Sequence, residues 1–436
     1  MQATAHTIAP MYLRASVLCL AGGMACVALE ADQPGPLRVS LVARAAVAHD
    51  CRRPMAVGLY DKQADKTFVC WPGAGMAPQV AAYDHGRRTW GKPVGIDAGR
   101  SNDDHDYPHL VVSADGHVHV VYSRHNRSLW IATSPKPRTV QGRWNVREIG
   151  RGLKATYPMP ITASDGAITI LYRKTVETDY RPIMRVRSAD NGRTWSAPRP
   201  CIDHGSTRRG DHLDEIYIGA MTREPKHPRF AEGYNCSWTI AGGGPDRHKH
   251  DDYHKNMYYA FFRAADARWR AADGTDLGAH IDNTEAETHC KVYDSGRLER
   301  NRAAGSGVDI GYISKAWCDA DGRPVVLFEN HKAHCLSIGR WTGRRWAVTT
   351  PAALKRTRGF FDFARIRGTL LILTGDGRSV RIVACRDAGW KTVATYRPPQ
   401  RVRDNFFIDN PRPAAFIFAS STAGSLWSVG LRSAEK

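Results

Sequence analysis

With 436 residues, 42% of them hydrophobic, the chain carries enough apolar material for a sizeable core, while its 39 Gly and 24 Pro cut the sequence into short runs that argue against long helices. Sixty-two Lys and Arg against 43 Asp and Glu leave a formal charge of +19, which fits either an anionic partner bound in a salt-dependent way or a solvated basic surface. Nucleic acid and an acidic polysaccharide or oligosaccharide are both candidate anions, and the lack of a zinc-finger spacing, an RNP-like motif or a lysine-rich tail argues against nucleic acid.

In chain order, the first element is an apolar stretch at residues 15–31, ASVLCLAGGMACVALEA, behind Arg14. A basic flank, an apolar centre and small residues at Ala28 and Ala31 read as a secretory signal over residues 1–31. The stretch is too short and too rich in small residues for a confident membrane span. We expect a secreted or periplasmic protein, without stable membrane insertion after processing, whose residues 32–436 form a single domain. Eight cysteines remain beyond the signal, at positions 51, 70, 201, 236, 290, 318, 335 and 385. An exported chain permits disulfides among them, and some could instead bind metal.

From about residue 40 onward, strand-turn-strand units recur. Asp84 to Trp90, DHGRRTW, is a degenerate copy of the sharper Ser188 to Trp195, SADNGRTW, which fits the Asp-box pattern S-x-D-x-G-x-T-W. In that pattern the Asp and Gly shape a turn and the Trp packs, so its role is structural. Four further units share an Asp-Gly turn followed by alternating apolar residues: 113–123, 163–173, 319–329 and 374–384. Irregularly repeated hairpins of this kind predict an all-β chain folded as a β-propeller, seven-bladed, rather than a sandwich or a β-helix.

The hairpin at residues 101–130 is the most informative. Leu110, Val111 and Val112 run out to the Asp115-Gly116 turn, and Val118, Val120 and Tyr122 alternate on the way back. His105 precedes the first strand and His125 follows the second, so an antiparallel pair returns both imidazoles to one rim. Histidine is suited to proton transfer near neutral pH. Tyr157 and Arg173 hold the same entrance and exit positions in the next hairpin, and both pairs could face one cleft. Read singly, each of the four is ordinary: a packed tyrosine, a surface arginine, a hydrogen-bonded histidine.

Together these residues resemble the BNR-repeat polysaccharide lyases, the propeller-type ulvan lyases and the rhamnose-glucuronate lyases. The resemblance rests on His105 in DDHDYP, His125 in YSRHN, Tyr157 in TYPMP and Arg173 in LYRKT, with His254-Lys255-Asn256-Met257-Tyr258-Tyr259 and Ala272-Asp273-Gly274-Thr275 downstream. It covers roughly residues 45–430. It implies β-elimination at a uronic acid, giving an unsaturated uronate product. Arg173 would neutralise the carboxylate, His105 would be the leading base, Tyr157 would protonate the leaving oxygen or share the base role, and His125 would orient the sugar. The division of labour between His and Tyr stays open. Tyr217 and Arg223 are further candidates for sugar contacts.

Cys236, His248 and His250 offer zinc-type ligands without a standard finger spacing, and a structural zinc or calcium ion is an expectation for them. The elimination itself requires no cofactor. Two other readings remain: a sialidase-like hydrolase, which needs three arginines and a Tyr/Glu pair, and a non-catalytic propeller that binds acidic glycans.

Overall fold

Short apolar runs between turns form strands throughout the computed structural model, which describes residues 35–43, 56–98, 103–176 except 104, 180–204, 215–241, 254–295, 310–355 and, between short gaps, the strands from 360 to 432. The expected secretory signal lies outside these residues. Residues 33–436 group into one compact unit.

The described strands form five sheets built almost entirely of antiparallel neighbours, in an all-β, propeller-like arrangement. Two are plain four-stranded meanders, one from Ile310–Cys318 to Trp346–Thr349 and one from Phe360–Ile366 to Gly389–Tyr396. The first strand, Gly35–Ala43, pairs antiparallel with the last, Leu426–Arg432. Val402–Asp409 in the same sheet runs parallel to Ala56–Asp61, so the two ends of the chain are knit together by backbone hydrogen bonds.

Strand 118–123 departs from simple alternation: all six of its residues are buried. It is an interior strand covered on both faces, and its histidine is satisfied locally. His119 sets Nδ1 3.0 Å from Thr133 Oγ1 and Nε2 2.9 Å from Ser113 Oγ, and burial pulls its pKa down to about 4. It is a structural histidine, kept neutral by the cost of charging it out of water.

The turn motifs behave as their chemistry requires. In the Asp box, Thr194 donates its backbone N–H and its hydroxyl to Asp190 at 2.8 and 2.6 Å, and Ser188 Oγ donates to the same carboxylate at 2.7 Å. Gly192 turns the chain at φ +81°, where a side chain is disfavoured. Trp195 packs against the apolar cluster that includes Val121, Ile131 and Ile170. The Asp-Gly turns at 115–116, 165–166 and 321–322 each join the first and second strands of a hairpin. The pair at 376–377 lies outside the described residues.

The 18-residue strand Asn145–Thr162 positions the site. Its first half pairs with Arg127–Thr133 and its second half with Ile168–Lys174, through three breaks in register. This one strand carries the histidine hairpin and the tyrosine-arginine hairpin in a single seven-stranded sheet.

Candidate active site

The turn before His109–Val112 and the turn after Val118–Ser123 meet as the antiparallel pairing demands, and the rings of His105 and His125 stack with centroids 4.1 Å apart and planes 14° from parallel. Asp103 clamps the pair: Oδ1 contacts Nδ1 of His105, and Oδ2 lies 2.9 Å from Nδ1 of His125. The backbone N–H of His105 also donates to Asp103, at 3.0 Å, while that of His125 donates to the buried Asp106. Burial pushes the Asp103 carboxyl up, but the bonds to His105 and His125 outweigh it and hold the group below its ordinary range. Burial also lowers His125, Asp103 restores part of that, and the charges of Arg173 and Arg181 lower it further. A carboxylate that accepts from both Nδ1 atoms leaves each Nε2 as the lone-pair nitrogen. Nε2 of His125 is buried and has no hydrogen-bond partner among the described residues.

Tyr157 closes the other side of this pair, its ring 5.6 Å from that of His105. The register against Ile168–Lys174 passes from Thr156 opposite Arg173 to Met159 opposite Leu171, so Tyr157-Pro158 forms a bulge. Tyr157 itself sits at φ +56°, a left-handed conformation that costs a tyrosine about 1–3 kcal/mol and that surrounding contacts must hold. The bulge turns the ring out of the strand's alternation and onto the histidines.

Arg173 is 1% exposed and lies between two phenol rings, with its guanidinium carbon 4.6 Å from the centroid of Tyr157 and 4.8 Å from that of Tyr217. Its Nη1 is ion-paired with Glu215. Burial alone would lower the Arg173 pKa, and Glu215 beside it reverses the sign, so the group stays charged. The fork expected to be free for a substrate carboxylate is thus already committed at one nitrogen, while its Nε is buried without a partner among the described residues.

Of the six residues expected from sequence, five come together here: His105, His125, Tyr157, Arg173 and Tyr217. Arg223 does not. Between Ile218 and Ala220 the strand Glu215–His227 slips by one residue against its neighbour, which turns later side chains to the opposite face. Arg223 lies six residues beyond Tyr217, roughly 20 Å along the strand, and pairs with Glu232. Sequence reasoning passed over Asp103, Arg181 and Glu215. Glu215 stands two residues before Tyr217 on the same face, and that period-two relation was the available signal.

Of the residues expected to hold a metal, Cys236 is fully buried in the strand Ala231–Ala241, while His248 and His250 lie outside the described residues. Burial raises the pKa of the Cys236 thiol, and the nearby thiols Cys201 and Cys290, themselves raised by burial, raise it further. Among the described residues Cys70, Cys201, Cys236, Cys290, Cys318 and Cys335 are buried and form no disulfide with one another. Among the described residues, the metal-ligand atoms that converge within 4.8 Å belong to Asp103, His105 and His125, where the carboxylate already orients both imidazoles.

With this geometry in hand, residues 66–353 match the family described as "BNR repeat-containing family member". The chain is 22% identical over 315 residues to "Ulvan Lyase-PL25" of Pseudoalteromonas sp. (strain PLSV), covering 64% of this chain and 60% of the relative. It is also 22% identical over 259 residues to "Ulvan lyase" of Alteromonas sp. (strain LOR), covering 53% and 52%. The chain therefore spans between half and three-fifths of the curated relatives it matches. Among solved structures it resembles that of "a new family of Polysaccharide lyase PL25-Ulvanlyase bound to -[GlcA(1-4)Rha3S]-", with TM-score 0.67 and 17% identity over 91% of this chain and 98% of the other. It also resembles "polysaccharide lyase Uly1", with TM-score 0.58 and 10% identity over 87% and 90%.

Proposed function

The chain belongs to the BNR repeat-containing family, and we propose that it is a polysaccharide lyase that cleaves an acidic glycan at a uronic acid by β-elimination. The observation that carries this reading is the stacked His105–His125 pair, bridged by Asp103 and facing a Tyr157 ring that rests on the Arg173 cation.

The proton beside a uronate carboxylate is weakly acidic, and its removal builds negative charge on that carboxylate. Arg173 supplies positive charge in a buried setting where it acts strongly. An imidazole Nε2, with His105 the leading candidate and His125 its stacked partner, takes the proton from C5. The C5–H electron pair becomes the C4=C5 double bond as the C4–O glycosidic bond breaks, and the Tyr157 hydroxyl returns a proton to the departing oxygen. One proton leaves the sugar, one is delivered to the leaving group, and no water is consumed. Two imidazoles in contact do not both carry a charge easily, so the pair holds at most one extra proton through the cycle.

A second reading has one observation in its favour. Tyr217 donates to Glu215 at 2.8 Å with Arg173 and Arg181 beside them, which supplies a Tyr/Glu pair and two of the three arginines that a sialidase-like hydrolase needs. The discriminating experiment is ultraviolet absorbance during incubation with an ulvan-type polysaccharide and with its carboxyl-reduced counterpart. Elimination makes a conjugated double bond and an absorbance rise on the acidic substrate alone, whereas a flat trace with falling chain length points to hydrolysis.

The reading includes a seven-bladed count, supported by taking the nine-stranded and seven-stranded sheets as two blades each and the other three sheets as one blade each. It also includes export directed by residues 1–31 and, separately from the chemistry, a structural ion at Cys236, His248 and His250. Elemental analysis of the purified protein tests the last of these.

A further inference from the structure

Two guanidinium groups, not one, converge beneath the site. Arg181 lies two residues before the strand Ile183–Ser188, and its Nη1 lies 2.6 Å from the same Glu215 oxygen that pairs with Arg173. Glu215 opens a strand of a different sheet and meets Arg181 through a backbone bridge, so this carboxylate reaches across the seam between two sheets. The same oxygen accepts the Tyr217 hydroxyl at 2.8 Å. Arg173, Arg181 and Glu215 are all at least nine-tenths buried, and together they carry one positive charge more than negative. Both arginines act electrostatically on His125, and the Nε atom of each is buried without a hydrogen-bond partner among the described residues. Buried donors without partners are costly, and a surplus of buried cation favours an anion as the ligand that satisfies both.

We propose that Arg181 is a second cation recognising the substrate carboxylate, and that Glu215 is the positioning residue that holds Arg173, Arg181 and Tyr217 as one acid-binding set. The inference rests on the reading of the site as one for acidic sugars and adds a residue to it. Glu215 keeps the two like charges in fixed places before substrate arrives, so the carboxylate of the sugar meets a preorganised site rather than a pair of mobile arginines. A bland alternative is an ion-paired staple between sheets, since buried pairs of this kind are often no more than structural.

The experiment separates the two. Wild type, Arg181→Gln, Arg181→Lys and Glu215→Gln are compared for melting temperature, for kcat and KM on an ulvan-type polysaccharide, and for binding of glucuronate and of its neutral counterpart glucose. Arg181→Gln is expected to weaken glucuronate binding by at least about tenfold, the scale of a charge-assisted hydrogen bond, with glucose binding unchanged and KM rising more than kcat falls. Arg181→Lys keeps the charge without the planar fork, so an intermediate loss is expected, and this variant serves if the first does not fold. Glu215→Gln is expected to bind glucuronate at least as tightly as wild type while kcat falls by about tenfold or more. Wild-type glucuronate affinity in both Arg181 variants overturns the proposal. So does an equal loss for glucuronate and glucose that tracks a lower melting temperature, which is the staple's signature. If wild type yields no unsaturated product while Arg181 still governs glucuronate binding, the lyase reading fails and this inference stands.

Discussion

The carboxylate of Asp103 lies 2.9 Å from Nδ1 of His125 while its other oxygen holds Nδ1 of His105, so one residue sets the tautomer of both imidazoles at once. Replacement by Asn keeps the size and removes the charge. With the charge gone the imidazolium form loses its partner, so the imidazole pKa falls and the acid limb of the kcat/KM profile moves to lower pH. We expect Asp103→Asn to show that shift together with a loss of turnover of about tenfold or more. An unmoved acid limb in the variant contradicts the clamp.

His105→Ala and Tyr157→Phe are each expected to cost about a hundredfold or more in turnover, the usual scale for general acid-base groups, with substrate binding largely kept. Steady-state kinetics beside a direct binding assay read the two quantities separately. Near-normal turnover in both variants removes these residues from the chemistry.

Arg173 is tied to stability as well as to charge. Arg173→Ala strands the buried Glu215 with one cation fewer and is expected to destabilise the fold by about 3–5 kcal/mol, the range for breaking a buried pair. Arg173→Lys keeps the charge but loses the planar sandwich between Tyr157 and Tyr217. It should recover much of the lost stability and little of the turnover. Denaturant unfolding and initial rates on the same preparations check this, and recovery of both together argues against a specific role for the guanidinium plane.

The four residues of the two hairpins were legible in sequence because antiparallel pairing alone returns entrance and exit to one rim, whatever the distant contacts. Tyr217 was legible by its place in a strand. Arg223 was not, because the one-residue slip between Ile218 and Ala220 reverses which side chains face the site and no residue pattern announces it. The approach of Glu215 to Arg181 depends on how two sheets meet, a relation between segments that local periodicity does not encode. The bulge at Tyr157 is of the same kind: the Pro after it marks a backbone irregularity, but only the register against Leu171 and Arg173 shows which way the ring turns.

Acid sensitivity follows from the structural histidine. The His119 pKa is 6.5 in its ordinary state and about 4 in the fold. Between those values the unfolded chain binds a proton that the folded chain refuses, so stability is full above about pH 6.5 and falls as the pH drops toward 4. His119→Gln should flatten part of that decline in a melting-temperature series. An equally steep decline in the variant assigns the acid sensitivity to other groups.

How the glycosidic bond is broken decides between elimination and hydrolysis, and mass spectrometry of the products from wild-type protein and an ulvan-type oligosaccharide of known length reads it in one step. Elimination predicts fragments whose masses sum to that of the substrate, with the new non-reducing end lighter by one water than a saturated uronate. Fragments whose masses sum to substrate plus one water contradict the account and identify a hydrolase.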